Sequence, residues 1–103
     1  MNQIERIEQM ETYLNESVAA VQALSNALDQ YEAVQKSLKK LTSYFGSLKW
    51  YKDFEDDEAG KLPKDLKRGV LSEDAVYDLL EEHHELMQRM SRAVTKAIER
   101  NMV

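Results

Sequence analysis

The stretch IERIEQMETYLNESVAAVQALSNALDQYEAVQKSLKKLTSYF, residues 4–45, decides the fold. Its apolar residues are Ile4, Ile7, Met10, Leu14, Val18, Val21, Leu24, Leu28, Tyr31, Val34, Leu38, Leu41 and Phe45. Every step between them is three or four, which keeps them on one face of an α-helix. The mean step lies near the coiled-coil period, and Glu8, Asn15, Gln22 and Asp29 fall off the line. A helix from about Ile4 to about Tyr44 follows, roughly 60 Å long at about 1.5 Å per residue.

What ends that helix lies just beyond it. Gly46, Gly60, Gly69 and the single proline, Pro63, all fall between positions 46 and 69, so both flanks lack strong helix breakers. Gly46 suits the left-handed conformation that closes a helix, and Ser47 suits the cap of a short following one. The segment SLKWYKDFEDDE, residues 47–58, should form about two helical turns. After it AGKLPKDLKRGVL is a connector, with Pro63 fitted to the first position of a helical turn and Gly69 to a positive φ.

A second long helix begins after Ser72, a good N-cap, where Leu71 can staple against Val76. Its apolar line runs through Val76, Leu79, Leu80, His83, Leu86, Met87, Met90, Val94, Ala97 and Ile98, and adjacent pairs make it wider than one seam. In both long helices acids come first and bases last. Glu5, Glu8, Glu11 and Glu16 precede Lys36, Lys39 and Lys40; Glu73, Asp74 and Asp78 precede Arg89, Arg92, Lys96 and Arg100. Each gradient complements the helix macrodipole.

The expected architecture is therefore all-α, a single helical domain over residues 1–103. A long antiparallel helical hairpin carries a short helix and a structured connector at its bend. The wide second stripe needs more cover than one seam, from the middle helix or from a second copy. Two hairpins packed as a homodimer would make a four-helix bundle.

Composition excludes several functions. The absence of cysteine removes disulfides, thiolate metal sites and cysteine nucleophiles. A net charge of −5 disfavours nucleic acid and anionic membrane as partners. No apolar run is long enough for a signal peptide or a membrane span, so the expected location is the cytoplasm. No Gly-rich phosphate loop and no serine nucleophile context occurs, and no cofactor is implied.

The densest set of metal-binding side chains is Glu81, Glu82, His83, His84 and Glu85. Glu81 and His84 share a helical face at the spacing used by di-iron carboxylate bundles. The same run matches the EExxE pattern of helical nucleotide pyrophosphohydrolases, where carboxylates hold magnesium on substrate phosphates. That chemistry needs a second acidic pair downstream, and only Glu99 follows. A metal-dependent hydrolase or metal-binding bundle using Glu81, Glu82, His84 and Glu85 is the alternative to solvated acids beside one partly buried histidine.

Five of the eight aromatics, Tyr44, Phe45, Trp50, Tyr51 and Phe54, lie within eleven residues. Aromatics this dense close a core or anchor a partner. Lysines surround them, and the candidate interaction surface is Trp50, Tyr51 and Phe54 with Lys64, Lys67 and Arg68 of the connector. The favoured reading is a plug for the open end of the hairpin.

The run DEAGKLPKDLKRGVLSEDAVYDLLEEHHELMQRM, with ERIEQME near the start and the YF and KWYKDFE elements, resembles the bacterial family called domain of unknown function 4298. The resemblance covers about Ile4 to Ile98 and is most specific from Gly60 to Leu80. It implies a small helical bacterial protein, no activity and no catalytic residues. The leading expectation is a non-enzymatic helical module, homodimeric, that acts through contacts with an unidentified protein partner at the bend or along an exposed helix face.

Overall fold

The computed structural model describes residues 1–102 and contains three α-helices: α1, Gln3–Tyr44; α2, Leu48–Glu58; and α3, Glu73–Glu99. A short 3-10 turn, Gly69–Leu71, precedes α3, and no strand occurs among the described residues. Long helix, short helix, connector and further helix in this order fit a helical hairpin. The chain divides into two compact units, Met1–Lys39 and the part from Lys40 onward.

The first unit is helix alone. Asn2 starts it: its Oδ1 accepts from the Glu5 backbone N–H at 2.8 Å, and its Nδ2 donates back to the Glu5 carboxylate at 3.1 Å. This reciprocal cap satisfies an otherwise orphaned amide, and it carries α1 one residue further back than the apolar pattern indicates. No residue of α1 is buried.

The second unit has a core. After α1, Gly46 takes φ 78°, and the Ser47 N–H returns to the Tyr44 carbonyl at 2.9 Å. The Ser47 hydroxyl then accepts from the Trp50 backbone N–H at 3.2 Å, fixing the first turn of α2. At the other end of α2, Gly60 stands at φ 72°, with Lys61 N–H on the Asp56 carbonyl and Gly60 N–H on the Asp57 carbonyl. That pair of bonds is a Schellman close, which needs the left-handed residue glycine supplies.

Two connector expectations are corrected. Gly69 does not take a positive φ; it opens the 3-10 turn instead. Pro63 does not begin a helical turn. Its carbonyl accepts from the Leu66 N–H at 3.2 Å, so it stands first in a four-residue turn. The Ser72 cap is as expected, its hydroxyl accepting from the Ala75 N–H at 3.4 Å. Leu71 and Val76, the staple pair flanking that cap, are both buried.

Trp50 is the centre of this core at 2% exposure, with Val76 at 4% and Leu71 at 7%. The 3-10 turn that carries Leu71 packs against both α2 and α3. Further along α3, Leu79, Leu86, Met90, Val94 and Ile98 are exposed, while Leu80, His83, Met87 and Ala97 are half-buried.

Candidate functional site

The aromatic cluster is organised by Trp50. Its indole Nε1–H donates to the Val70 carbonyl at 2.9 Å, joining α2 to the turn before α3. Phe45 and Tyr51 meet the indole edge-on, with ring centroids 5.2 Å away in each case, and Phe54 stacks on it at 5.3 Å with an interplanar angle of 18°. Edge-on and offset arrangements suit the ring quadrupoles. Of the expected interaction residues on α2, Trp50 is interior, Phe54 half-buried and Tyr51 exposed.

Arg68 is turned toward its own connector. Its guanidinium pairs with the Asp57 carboxylate, and the same side chain donates to the carbonyls of Leu66 at 3.3 Å and Pro63 at 2.5 Å. A planar fork with several donors can hold a loop onto a helix end in this way, which a lysine cannot reproduce. Lys64 and Lys67 are exposed on the same connector. The basic residues that the sequence groups together thus divide into one loop staple and two solvated cations.

A shallow open groove of about 310 Å³ runs beside the cluster, lined by Phe45, Gly46, Trp50, Tyr51, Glu73, Asp74 and Tyr77. Its rim is acidic, since Glu73 and Asp74 stand in the first turn of α3. Neither Lys64 nor Lys67 lines it. A linear reading has no hint of this grouping, because Tyr51 and Tyr77 are 26 positions apart and line one groove only after the turn at Gly69–Leu71.

Next to it, the Tyr44 hydroxyl donates to the Asp53 carboxylate at 2.5 Å. That hydrogen bond, with partial burial and the neighbouring negative charge, pushes the phenol from 10.0 up to about 12. The bond ties the last turn of α1 to the middle of α2. Nothing in a linear reading marks it, since a tyrosine and an aspartate nine positions apart have no shared periodicity across a helix break.

Glu81, Glu82, His84 and Glu85 lie exposed on α3. His84 Nε2 lies 3.3 Å from the Gln88 side-chain amide, one turn along the same helix. Among the described residues no group of three carboxylate or imidazole side chains comes together to hold a metal ion. The acids Asp56 and Asp57 of α2 are engaged elsewhere. Asp56 accepts from Lys52 at 3.1 Å and Asp57 holds Arg68.

The remaining surface is the apolar line of α1. Ile4 is 68% exposed and Val21 66%, and Ile7, Met10, Leu14, Val18, Leu24, Leu28 and Val34 are exposed as well. Scattered apolar residues on a surface are ordinary; these lie along one helical line. No helix among the described residues is long and apolar enough to cross a membrane.

Searches of curated proteins and of solved structures find no match. The model of the family described as Domain of unknown function (DUF4298) matches residues 7–93, which takes in most of α1, the whole of the bend and most of α3. The chain belongs to the DUF4298 family.

Proposed function

We propose that the chain is a single helical domain working as a non-enzymatic, cytoplasmic protein-interaction module, in which the part from Lys40 onward supplies a folded anchor and α1 presents the binding line. The observation that supports this reading is the exposure of the apolar line from Ile4 to Leu28, and of Val34 beyond it, on a helix without one buried residue. Helices in proteins derive most of their stability from packing an apolar face, so a helix of this length with that face exposed calls for a covering partner. The side chains with metal-binding chemistry, Glu81, Glu82, His84 and Glu85, lie exposed along α3.

The test uses the full chain with Val18→Glu and Val21→Glu. Native mass in cell extract should fall relative to wild type, because the wild-type chain is held in a complex through this line. Trp50 fluorescence should stay unchanged, since the indole lies in the other unit. Equal native mass for the two chains would sink the reading.

A further inference from the structure

We infer that the partner on the α1 line is a second copy of the same chain, with the two α1 helices side by side in opposite directions about a two-fold axis near Val21. The inference deepens the interaction-module reading and rests on it. Three features of the line point the same way: its area, its symmetry and its charge.

Fully burying a Val, Leu, Ile or Met side chain removes about 60–120 Å² of apolar surface, the area implied by the usual transfer coefficient. The line leaves Ile4, Ile7, Met10, Leu14, Val18, Val21, Leu24 and Val34 more than half exposed. Two copies covering one another would therefore bury on the order of 1,000 Å² of apolar area. With the polar share that homodimer interfaces carry, the total reaches the roughly 1,200–2,000 Å² of a stable specific interface.

The spacing of the line is nearly the same read in either direction from Val21. Toward the N-terminus the apolar residues stand 3, 7, 11, 14 and 17 positions away, at Val18, Leu14, Met10, Ile7 and Ile4. Toward the C-terminus they stand 3, 7, 10, 13 and 17 away, at Leu24, Leu28, Tyr31, Val34 and Leu38. Opposed copies consequently meet apolar layer against apolar layer along the whole line. A two-fold contact is self-complementary by construction, which is why such a palindrome suits it.

Charge selects the direction. Residues 17–28, around the proposed axis, contain no charged side chain at all, and Ala19, Ala20, Ala23 and Ala27 keep that middle slender. Residues 2–11 hold three acids and one base, net −2; residues 31–40 hold one acid and three bases, net +2. Opposed helices bring the −2 end of each copy beside the +2 end of the other. Parallel helices would set like ends together and align their macrodipoles unfavourably.

The chain has no cysteine, so single introduced thiols report cleanly. Spin labels on the full chain carrying Ala23→Cys, near the axis, should lie close together in the dimer, about 6 Å apart along the helix axis. Labels on Glu8→Cys should lie about 40 Å apart along it. Sedimentation at tens of micromolar should show a dimer, and Leu14→Glu with Val21→Glu should weaken association at least about a hundredfold while Trp50 fluorescence holds.

Short separations at both label sites would mean parallel pairing and overturn the inference. A wild-type monomer would overturn it too. If a different protein then proves to hold the α1 line, the interaction-module reading survives without self-pairing. A chain whose native mass never depends on the line sinks both.

Discussion

Trp50 and Val21 are both helical apolar residues, yet one is 2% exposed and the other 66%. Trp50 is met by Phe54 of α2 and by Phe45 just past the end of α1, and its indole N–H has a backbone acceptor in the turn before α3. Val21 belongs to a unit made of one helix. A helix has no interior for side chains, so burial requires a second element, and the chain concentrates its breaks in residues 46–69 where several short elements can converge. Apolar content by itself does not build a core; reversals of the chain do.

Trp50→Ala should break this contrast most severely. Removing a buried tryptophan typically costs about 3–5 kcal/mol, and here it also leaves the Val70 carbonyl without its donor. A small helical unit has little stability beyond that amount. The expected result is loss of cooperative urea unfolding, read by circular dichroism. Val21→Ala in the monomer should change unfolding by less than about 1 kcal/mol, because nothing packs on it there. Comparable losses for the two substitutions would show that the α1 line is already covered within one copy.

Arg68→Met sharpens the same contrast inside the second unit. The side chain keeps its length and loses its donors to Asp57, Pro63 and Leu66. Solvent screens a partly exposed ion pair, so the expected cost is about 1–2 kcal/mol rather than that of a buried one. Amide hydrogen exchange should rise at residues 61–68 and stay level in α1. Arg68→Lys should behave like Arg68→Met, since a single ammonium cannot span three acceptors. Full rescue by lysine would mean that charge alone holds the connector.

The long helices were legible in the residues because three-and-four spacing is a strong local signal. So were the Ser47 and Ser72 caps and the Gly46 close, each of which is a requirement of one residue and its immediate neighbours, whereas the left-handed close at Gly60 was not. What escaped a linear reading depends on distant pieces meeting. The sequence groups Arg68 with Lys64 and Lys67 by charge, while the fold turns Arg68 inward onto Asp57 and leaves the lysines in solvent. Gly69 misled for a different reason: glycine permits a positive φ without requiring one. The density of aromatics was visible, but the acidic rim of Glu73 and Asp74 beside them appears only in the folded groove.

The smallest expected effect is also the one with a sign fixed in advance. Tyr44 holds its proton more tightly in the folded chain, at about 12 against 10.0, chiefly because the phenol donates to Asp53. Below pH 10 both folded and unfolded chains keep that proton, so the stabilising contribution is fully present. Between pH 10 and about 12 the unfolded chain releases it while the folded chain retains it, and stability must fall as pH rises. Tyr44→Phe removes the titration along with the bond. At pH 8 the variant should be less stable by about 0.5–1 kcal/mol, the lower part of the range for a hydrogen bond because the site is half-exposed. The gap between wild type and variant should then close as pH climbs from 10 toward 12. Every other ionisable group is common to both chains and cancels in the difference. A gap that stays constant across that window would show that Tyr44 and Asp53 are not bonded in solution, and that the end of α1 is held to α2 by the Phe45–Trp50 ring contact instead.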